Sequence, residues 1–272
     1  MTPGAFLNTL LILVLSLAPQ EETVAPQAVI PLFNGKDLAG WTTWLVDSKR
    51  EDPRGVYSVR DGMIRISGDG FGYLATEKGY RDYLLVAEFK WGRKNWQGRE
   101  KNARDSGLFL HGVGPDGNSV DGKGAFRCAI ECQVMQGRVG DLMLIKGKDA
   151  QGKPIPVGFS AEVAPGRDGE GWPTWKKGGE RLALNQTGRL NWRGIDPGWK
   201  DVLDFRGKDD VESAGGEWTK VECVCDGGRI EVLVNGVKVN EALECTPRSG
   251  RILLQCEGSE IFFRKVELHP LR

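Results

Sequence analysis

The chain has 272 residues, a length that fits two small domains or one large β-sandwich. Lys plus Arg and Asp plus Glu number 37 each, so no net field draws the protein to nucleic acid or to an anionic membrane. A neutral polymer or a small polar ligand fits this balance better. The 38 Gly residues favour tight turns, and the 9 Trp residues can serve a sugar-stacking surface or the core.

The first 28 residues differ from the rest of the chain. An apolar run from Leu10 to Leu17 is followed by Ala18 and a stretch rich in Pro, Gln and Glu. The run has the length of a signal-peptide core and is too short to span a bilayer, although no Lys or Arg precedes it. We expect residues 1–28 to be a signal peptide and a flexible segment, and the protein to be exported without a membrane span.

Residues 29–272 show the pattern of one all-β domain. Short alternating segments are separated by Gly, Asp and Asn, and helical periodicity is almost absent. Asp61-Gly62 and Asn235-Gly236 each lie between two such segments, which predicts two hairpins. The last strands are expected at 251–255 and 261–268. Strands without interleaved helices form antiparallel sheets, so the sequence predicts an antiparallel two-sheet sandwich.

A long insertion from about Gly147 to Gly216 lacks this strand pattern. It is rich in Gly, Pro and charge, and a loop of this length is uncommon unless it is functional or disordered. Its aromatic content argues against disorder. We expect an ordered rim whose Trp side chains are buried or line a cleft beside Glu131. These residues are Trp172, Trp175, Trp192, Trp199 and, at the end, Trp218.

The most informative predicted strand runs from Arg127 to Val134. Alternation places Cys128, Ile130, Cys132 and Val134 on the core face. Glu131 and Gln133 fall on the opposite face, which is either a ligand-binding concavity or an ordinary solvated surface. Glu88 and Lys90 share a similar polar face on an earlier strand and are expected in the same patch. Alternatively, Glu131 forms an ion pair with Lys90 or Arg127.

His111 is one of only two histidines. If Leu108 and Leu110 point to the core, Phe109 and His111 point away from it. A lone histidine is more often a structural hydrogen-bonding group than a catalyst. On the face of Glu131, however, His111 would be a suitable acid/base partner.

Several enzyme signatures are absent from the sequence. There is no nucleophile elbow, His-Glu-x-x-His motif or P-loop, and the six cysteines lack zinc-ligand spacing. These cysteines leave both disulfides and buried free thiols open. A retaining glycosidase needs two carboxyl groups about 5 Å apart, and the strand that contains Glu131 supplies one. No cofactor is predicted; a divalent metal stays an option, although no ligand set is visible.

A series of motifs follows in order along the chain. They are Leu32-Phe33-Asn34-Gly35-Lys36-Asp37-Leu38-Ala39-Gly40-Trp41, Ala103-Arg104-Asp105-Ser106-Gly107, Ile130-Glu131-Cys132-Gln133, Gly216-Glu217-Trp218, Val234-Asn235-Gly236 and Ile252-Leu253-Leu254-Gln255. Together they resemble the 3-keto-disaccharide hydrolase domain family, over nearly all of Leu32 to Leu271 apart from the insertion. Asp105 and Glu257 stand where many members have Asn and Asp or His, which with the Glu-Cys-Gln strand marks a subgroup.

The resemblance implies a concanavalin A-like jelly-roll and glycosides oxidised at C3 of the sugar. A C3 ketone acidifies the C2 hydrogen, so one base suffices to form an enediolate that expels the C1 substituent. By this resemblance we expect Glu131 as base, His111 as its acid/base or orienting partner and Arg104 as oxyanion stabiliser. The expected substrate-binding residues are Gln133, Gln255, Glu88, Lys90, Asp105 and Glu257. The alternative is a noncatalytic, lectin-like carbohydrate-binding module.

Overall fold

The computed structural model describes residues 23–96 and 98–271. Eighteen β-strands form across these residues: β1 (Thr23–Val24), β2 (Ile30–Pro31), β3 (Trp41–Leu45), β4 (Tyr57–Arg60), β5 (Met63–Ile66), β6 (Phe71–Tyr80), β7 (Tyr83–Asn95), β8 (Asp105–Val113), β9 (Cys128–Met135), β10 (Leu142–Ile145), β11 (Gly158–Val163), β12 (Glu180–Asn185), β13 (Arg189–Leu190), β14 (Thr219–Asp226), β15 (Arg229–Val234), β16 (Val237–Thr246), β17 (Gly250–Glu257) and β18 (Ser259–Pro270). The predicted signal-peptide run lies outside the described residues. Within them, no helix has the length and apolar character needed to cross a bilayer.

The strands form two sheets. The smaller follows the order β1-β6-β17-β8-β9-β10-β13, with β3 also on β6, and the larger follows β12-β11-β16-β15-β14-β7-β18-β5-β4, with β2 on β18. Among the ladders of the described residues, only β1 with β6 is parallel. The antiparallel two-sheet sandwich is therefore confirmed. Both hairpins are confirmed as well, as β4-β5 and β15-β16.

The core between the sheets follows the predicted alternation. Cys128, Ile130, Cys132 and Val134 of β9 are fully buried in the main apolar cluster. All six cysteines are buried and unpaired, so each thiol packs as a small apolar group.

The outer face of the smaller sheet is buried too. There Tyr73, Phe109, Ala129 and Leu253 form a second apolar cluster with Phe126. The polar face of β9 is therefore a covered surface and not an open, solvated one. It forms the floor on which the candidate site is built.

The insertion contributes strands to both sheets and is more than a long loop. In the larger sheet, β11 pairs with β16 on one side and with the edge strand β12 on the other. In the smaller sheet, β13 pairs with β10. These strands are short or, like β12 with four of its six residues exposed, lie at an edge, so their alternation is weak in the sequence. At the other end of the chain, Thr23 and Val24 pair with Gly79 and Tyr80, inside the segment that we expected to be flexible.

Candidate functional site

A cavity of about 510 Å³ lies over the outer face of the smaller sheet. Its floor contains Glu131 and Gln133 of β9, Gln255 and Glu257 of β17, and Asp105 of β8. β17, β8 and β9 are neighbours in the sheet, so strands that are far apart in sequence bring these five side chains together. All five are among the predicted site residues.

Strand register fixes the position of Glu131 in this floor. Met143 of β10 pairs with Glu131 on one side and with Arg189 of β13 on the other. Phe109 of β8 pairs with Glu131 from the opposite direction. Directly paired residues share a face of the sheet, so Arg189, Met143 and Glu131 form a row across three strands.

The Glu131 carboxyl is buried and has an unsatisfied oxygen. Its residue is 2% exposed, and among the described residues Oε1 has no hydrogen-bond partner. Desolvation raises the pKa of Glu131 well above its ordinary value, and the negative charges of Glu257 and Asp105 raise it further. The positive charge of Arg189 acts in the opposite direction. Glu131 pairs with neither Lys90 nor Arg127; Arg127 pairs instead with Asp116.

Gly107 makes room for the two unsatisfied acceptors of the floor. A Cβ atom at this position would lie 2.2 Å from Oε1 of Glu131 and 2.9 Å from Oε1 of Gln255. Both oxygens lack a hydrogen-bond partner among the described residues. Because Gly107 has no side chain, the ends of the Glu131 and Gln255 side chains can lie directly above the backbone of β8.

Two further carboxyl groups complete the floor. Asp105 accepts a 2.7 Å hydrogen bond from Gln133 Nε2 and pairs with Arg99 at 3.1 Å. Glu257 accepts a hydrogen bond from Gln255 Nε2. Burial raises the pKa of Asp105 and of Glu257 despite the nearby arginines. Like charges grouped in one cavity disfavour joint ionisation of the three acids.

Arg189 is a cation in the same row of the sheet as Glu131. Its side chain is 12% exposed, and Nε lies 2.9 Å from Oδ2 of the fully buried Asp141. Asp141 also pairs with Arg138 and accepts a 2.7 Å hydrogen bond from the Trp192 N–H. This anchored ion pair fixes Arg189 at the cavity wall.

The insertion supplies the aromatic rim of the cavity. Trp172 and Trp199 line it, whereas Trp175 and Trp192 are buried. Trp218 is half-buried and lies outside this cavity. Apart from Trp218, the expectation that these side chains are buried or line a cleft beside Glu131 is confirmed.

His111 does not reach the cavity, so its expected placement beside Glu131 is wrong. The residue adopts φ +58°, and the register of β8 shifts between Leu110 and Val113. This irregularity breaks the alternation and packs the imidazole edge-on against Tyr83 in the main core, with ring centroids 5.6 Å apart. Nδ1 lies 3.1 Å from the Pro247 carbonyl oxygen. Burial lowers the pKa of His111 to about 4, so the ring is neutral at pH 7.

Three other predicted site residues also lie elsewhere. Glu88 and Lys90 belong to β7, in the other sheet, and Glu88 pairs there with Arg264. Lys90 and Arg104 line a different cavity, where Arg104 pairs with Asp204. Alternation predicts which face of its own strand a residue occupies but not the sheet to which that strand belongs, which explains the misplacement of Glu88 and Lys90. Arg104, which was expected from the family resemblance, directly precedes β8.

Sequence reasoning missed the roles of Gly107 and Arg189 at this site. Gly107 was visible only as part of a motif, and Arg189 precedes Asn191-Trp192 inside the insertion, where no strand pattern places it.

Across residues 23–96 and 98–271, no group of three or more His, Cys, Asp or Glu side chains is arranged to hold a metal ion.

Comparison with solved structures gives distant similarities. A Parabacteroides distasonis protein provisionally described as a glycosyl hydrolase has a TM-score of 0.49 at 20% identity, covering 90% of this chain and 94% of that one. The carbohydrate-binding module CBM66 of Bacillus subtilis has a TM-score of 0.44 at 10% identity, covering 84% and 94%. The Bacillus licheniformis β-glucanase has a TM-score of 0.42 at 9% identity, covering 90% and 99%.

A comparison with curated proteins found no match. The family comparison, in contrast, covers nearly the whole described domain. Residues 28–269 match the family described as the 3-keto-alpha-glucoside-1,2-lyase-like domain. The matched range contains every residue of the cavity floor, as well as Gly107, Arg189 and the insertion. The chain therefore belongs to the 3-keto-alpha-glucoside-1,2-lyase-like domain family.

Proposed function

We propose that this protein is an exported enzyme that cleaves glycosides already oxidised to a ketone at C3 of the sugar. Family membership makes it a carbohydrate-active protein, and the apolar run from Leu10 to Leu17 supports export. The reaction consists of C2 proton removal, loss of the C1 substituent and hydration. The substrate class is an oxidised glycoside.

The observation that carries this proposal is the state of Glu131. A buried carboxyl with an unsatisfied oxygen at the floor of a cavity, whose pKa is raised by desolvation, has the properties of a general base. The aromatic side chains of Trp172 and Trp199 at the rim provide apolar surface for a sugar ring.

In the proposed reaction, Glu131 takes the proton from C2, and the electrons of the C–H bond form an enediolate with the C3 oxygen. The enediolate expels the C1 substituent, which takes a proton and leaves as an alcohol. Water then adds across the C1–C2 double bond, with hydroxyl at C1 and a proton at C2. The net reaction is hydrolysis, and it needs no oxocarbenium ion.

The remaining floor residues fit the other roles. Glu257, whose pKa burial raises, holds the proton for the leaving group. Arg189 supplies positive charge to the developing C3 oxyanion, in place of the expected Arg104. Gln133 and Gln255 bind sugar hydroxyls, and the unsatisfied Oε1 of Gln255 is an acceptor for one of them.

The direct test is to incubate the purified protein with a 3-keto-glucoside and, separately, with the parent glucoside. We expect release of the leaving group from the 3-keto compound alone, together with exchange of the C2 hydrogen in deuterated water. The hydrogen exchange reports the proton abstraction step independently of bond cleavage.

Two outcomes would contradict the proposal. Equal cleavage of both compounds without C2 exchange would indicate an ordinary glycosidase, for which Glu131, Asp105 and Glu257 offer enough carboxyl groups. Binding of the sugar without turnover would indicate the lectin-like module.

Replacement of Gly107 by alanine tests the close packing beside the base. The new Cβ would overlap Oε1 of Glu131, so the Glu131 carboxyl must move by roughly 1 Å. A displacement of this size is expected to lower the rate by about 10-fold to 100-fold. We expect the loss mainly in kcat. A Gly169→Ala control meets no atom within 4 Å and should retain activity. Full activity of the Gly107→Ala variant would contradict the placement of the base.

A further inference from the structure

A second cavity, of about 720 Å³, lies over the larger sheet. It is lined by β7 and β18 together with Arg104, Asp204 and the turn at Gly215 and Gly216. It shares no lining residue with the cavity that contains Glu131. It does contain Lys90 and Arg104, which the sequence had assigned to the sugar site.

The side chains that line this cavity carry an excess of positive charge. Both carboxylates that line it are neutralised, because Glu260 pairs with Arg65 at 2.7 Å and Asp204 pairs with Arg104. Among the described residues, the side-chain cations of Lys90, Arg93 and Lys94 form no ion pair, although the backbone N–H of Arg93 donates a 3.0 Å hydrogen bond to Glu260. The whole chain has a formal net charge of zero, so this positive excess is a local feature.

Aromatic rings hold the Lys90 ammonium without neutralising it. Its Nζ lies 4.9 Å from the ring centroid of Trp218 and 5.8 Å from that of Phe262. Lys94 Nζ lies 5.3 Å from the Trp96 ring in the same manner. Such contacts fix a cation in place and leave its charge available to an anion.

Arg104 adds an unused donor to this wall. Its side chain is 12% exposed, and one terminal nitrogen already binds Asp204. Its buried Nε has no hydrogen-bond partner among the described residues. A buried donor without a partner is costly, and an anionic group in the cavity could satisfy it.

The spacing of the cations favours an extended ligand. Lys90 and Lys94 lie four residues apart on β7, which corresponds to roughly 13 Å along a strand. The two ammonium groups are also held by different rings, and a chain with repeated charges can contact both.

From this geometry we propose that the cavity lined by Lys90, Arg93, Lys94 and Arg104 binds an acidic glycan, through its carboxylate or sulfate groups. The small number of cations is fewer than the 6–10 phosphate contacts typical of specific nucleic-acid binding. Lysine side chains already contact Trp218, Phe262 and Trp96, which limits base stacking on these rings. A glycan also fits a carbohydrate-active protein.

The test uses short oligogalacturonates as the anionic probe and malto-oligosaccharides of equal length as the neutral one. Binding is measured by titration calorimetry at two salt concentrations. We expect the anionic probe alone to bind, and its affinity to fall as salt rises from about 50 mM to about 200 mM. The double substitution Arg93→Gln with Lys94→Gln should weaken binding by about 10-fold.

A Lys208→Gln variant is the matched control, since Lys208 is exposed and lies outside this cavity. The double variant should also turn over a neutral 3-keto-glucoside at the parent rate, which separates this proposal from that of the first cavity. Equal binding of the neutral probe, unchanged affinity in the double variant, or no binding at millimolar probe would overturn it. Tighter binding of a single-stranded oligonucleotide would overturn the assignment to a glycan.

Discussion

Replacement of Glu131 by glutamine is expected to lower kcat/KM on a 3-keto-glucoside by about 100-fold or more. The amide keeps the shape of the side chain but cannot accept the C2 proton. Steady-state kinetics together with C2 hydrogen exchange would measure the effect, and both should fall in parallel.

The same substitution should not weaken the fold. Since burial raises the pKa of Glu131, the folded protein holds this proton to higher pH than the unfolded chain does. Stability from this group is therefore complete below about pH 4.5 and is lost as the pH rises through the folded-state pKa. The glutamine variant lacks this titration, so we expect its stability relative to the parent to increase with pH.

A Glu180→Gln variant provides the control for these measurements, because Glu180 is exposed on the edge strand β12. It makes the same chemical change outside the cavity and should retain parent kinetics. Turnover of the Glu131→Gln variant at the parent rate, with an intact fold, would remove Glu131 from the mechanism.

Replacement of Arg189 by methionine is expected to lower kcat by about 100-fold to 1,000-fold. The substitution removes the cation proposed to stabilise the oxyanion. It also removes the charge that opposes the rise in the pKa of Glu131. Without Arg189, the pKa of Glu131 should rise further. The rising limb of the kcat/KM profile reports ionisation of the base, so it should move to higher pH. A pH profile from pH 5 to 9 would separate the two effects.

Loss of Arg189 leaves Asp141 with Arg138 as an ion-pair partner, so the fold should survive. An Arg189→Lys variant keeps the charge but loses the planar guanidinium, and it should recover the pH profile more fully than kcat. If Arg189→Met lowers activity without any shift of the profile, or leaves activity unchanged, the proposed position of this cation relative to Glu131 is wrong.

The residues of the cavity differ in how far the sequence could predict them. Glu131 and Gln133 were placed correctly on the face opposite the core, because alternation within one strand is a local property. Gln255, Asp105 and Glu257 were expected from a family resemblance, and the pairing of β17, β8 and β9 brings them beside Glu131. Their catalytic and binding roles stay predictions that the proposed variants test.

By itself, the sequence determined the all-β class, the two hairpins and the face of β9 that meets the core, since turn dipeptides and period-two alternation depend on neighbouring residues alone. Only the tertiary structure decided which strands that are distant in sequence lie side by side. It placed Glu88 and Lys90 in the other sheet, turned His111 into the core through an irregularity in β8, and brought Arg189 into the row of Glu131. The physical reason is that non-local strand pairing depends on how whole sheets bury their apolar faces, which no local pattern encodes.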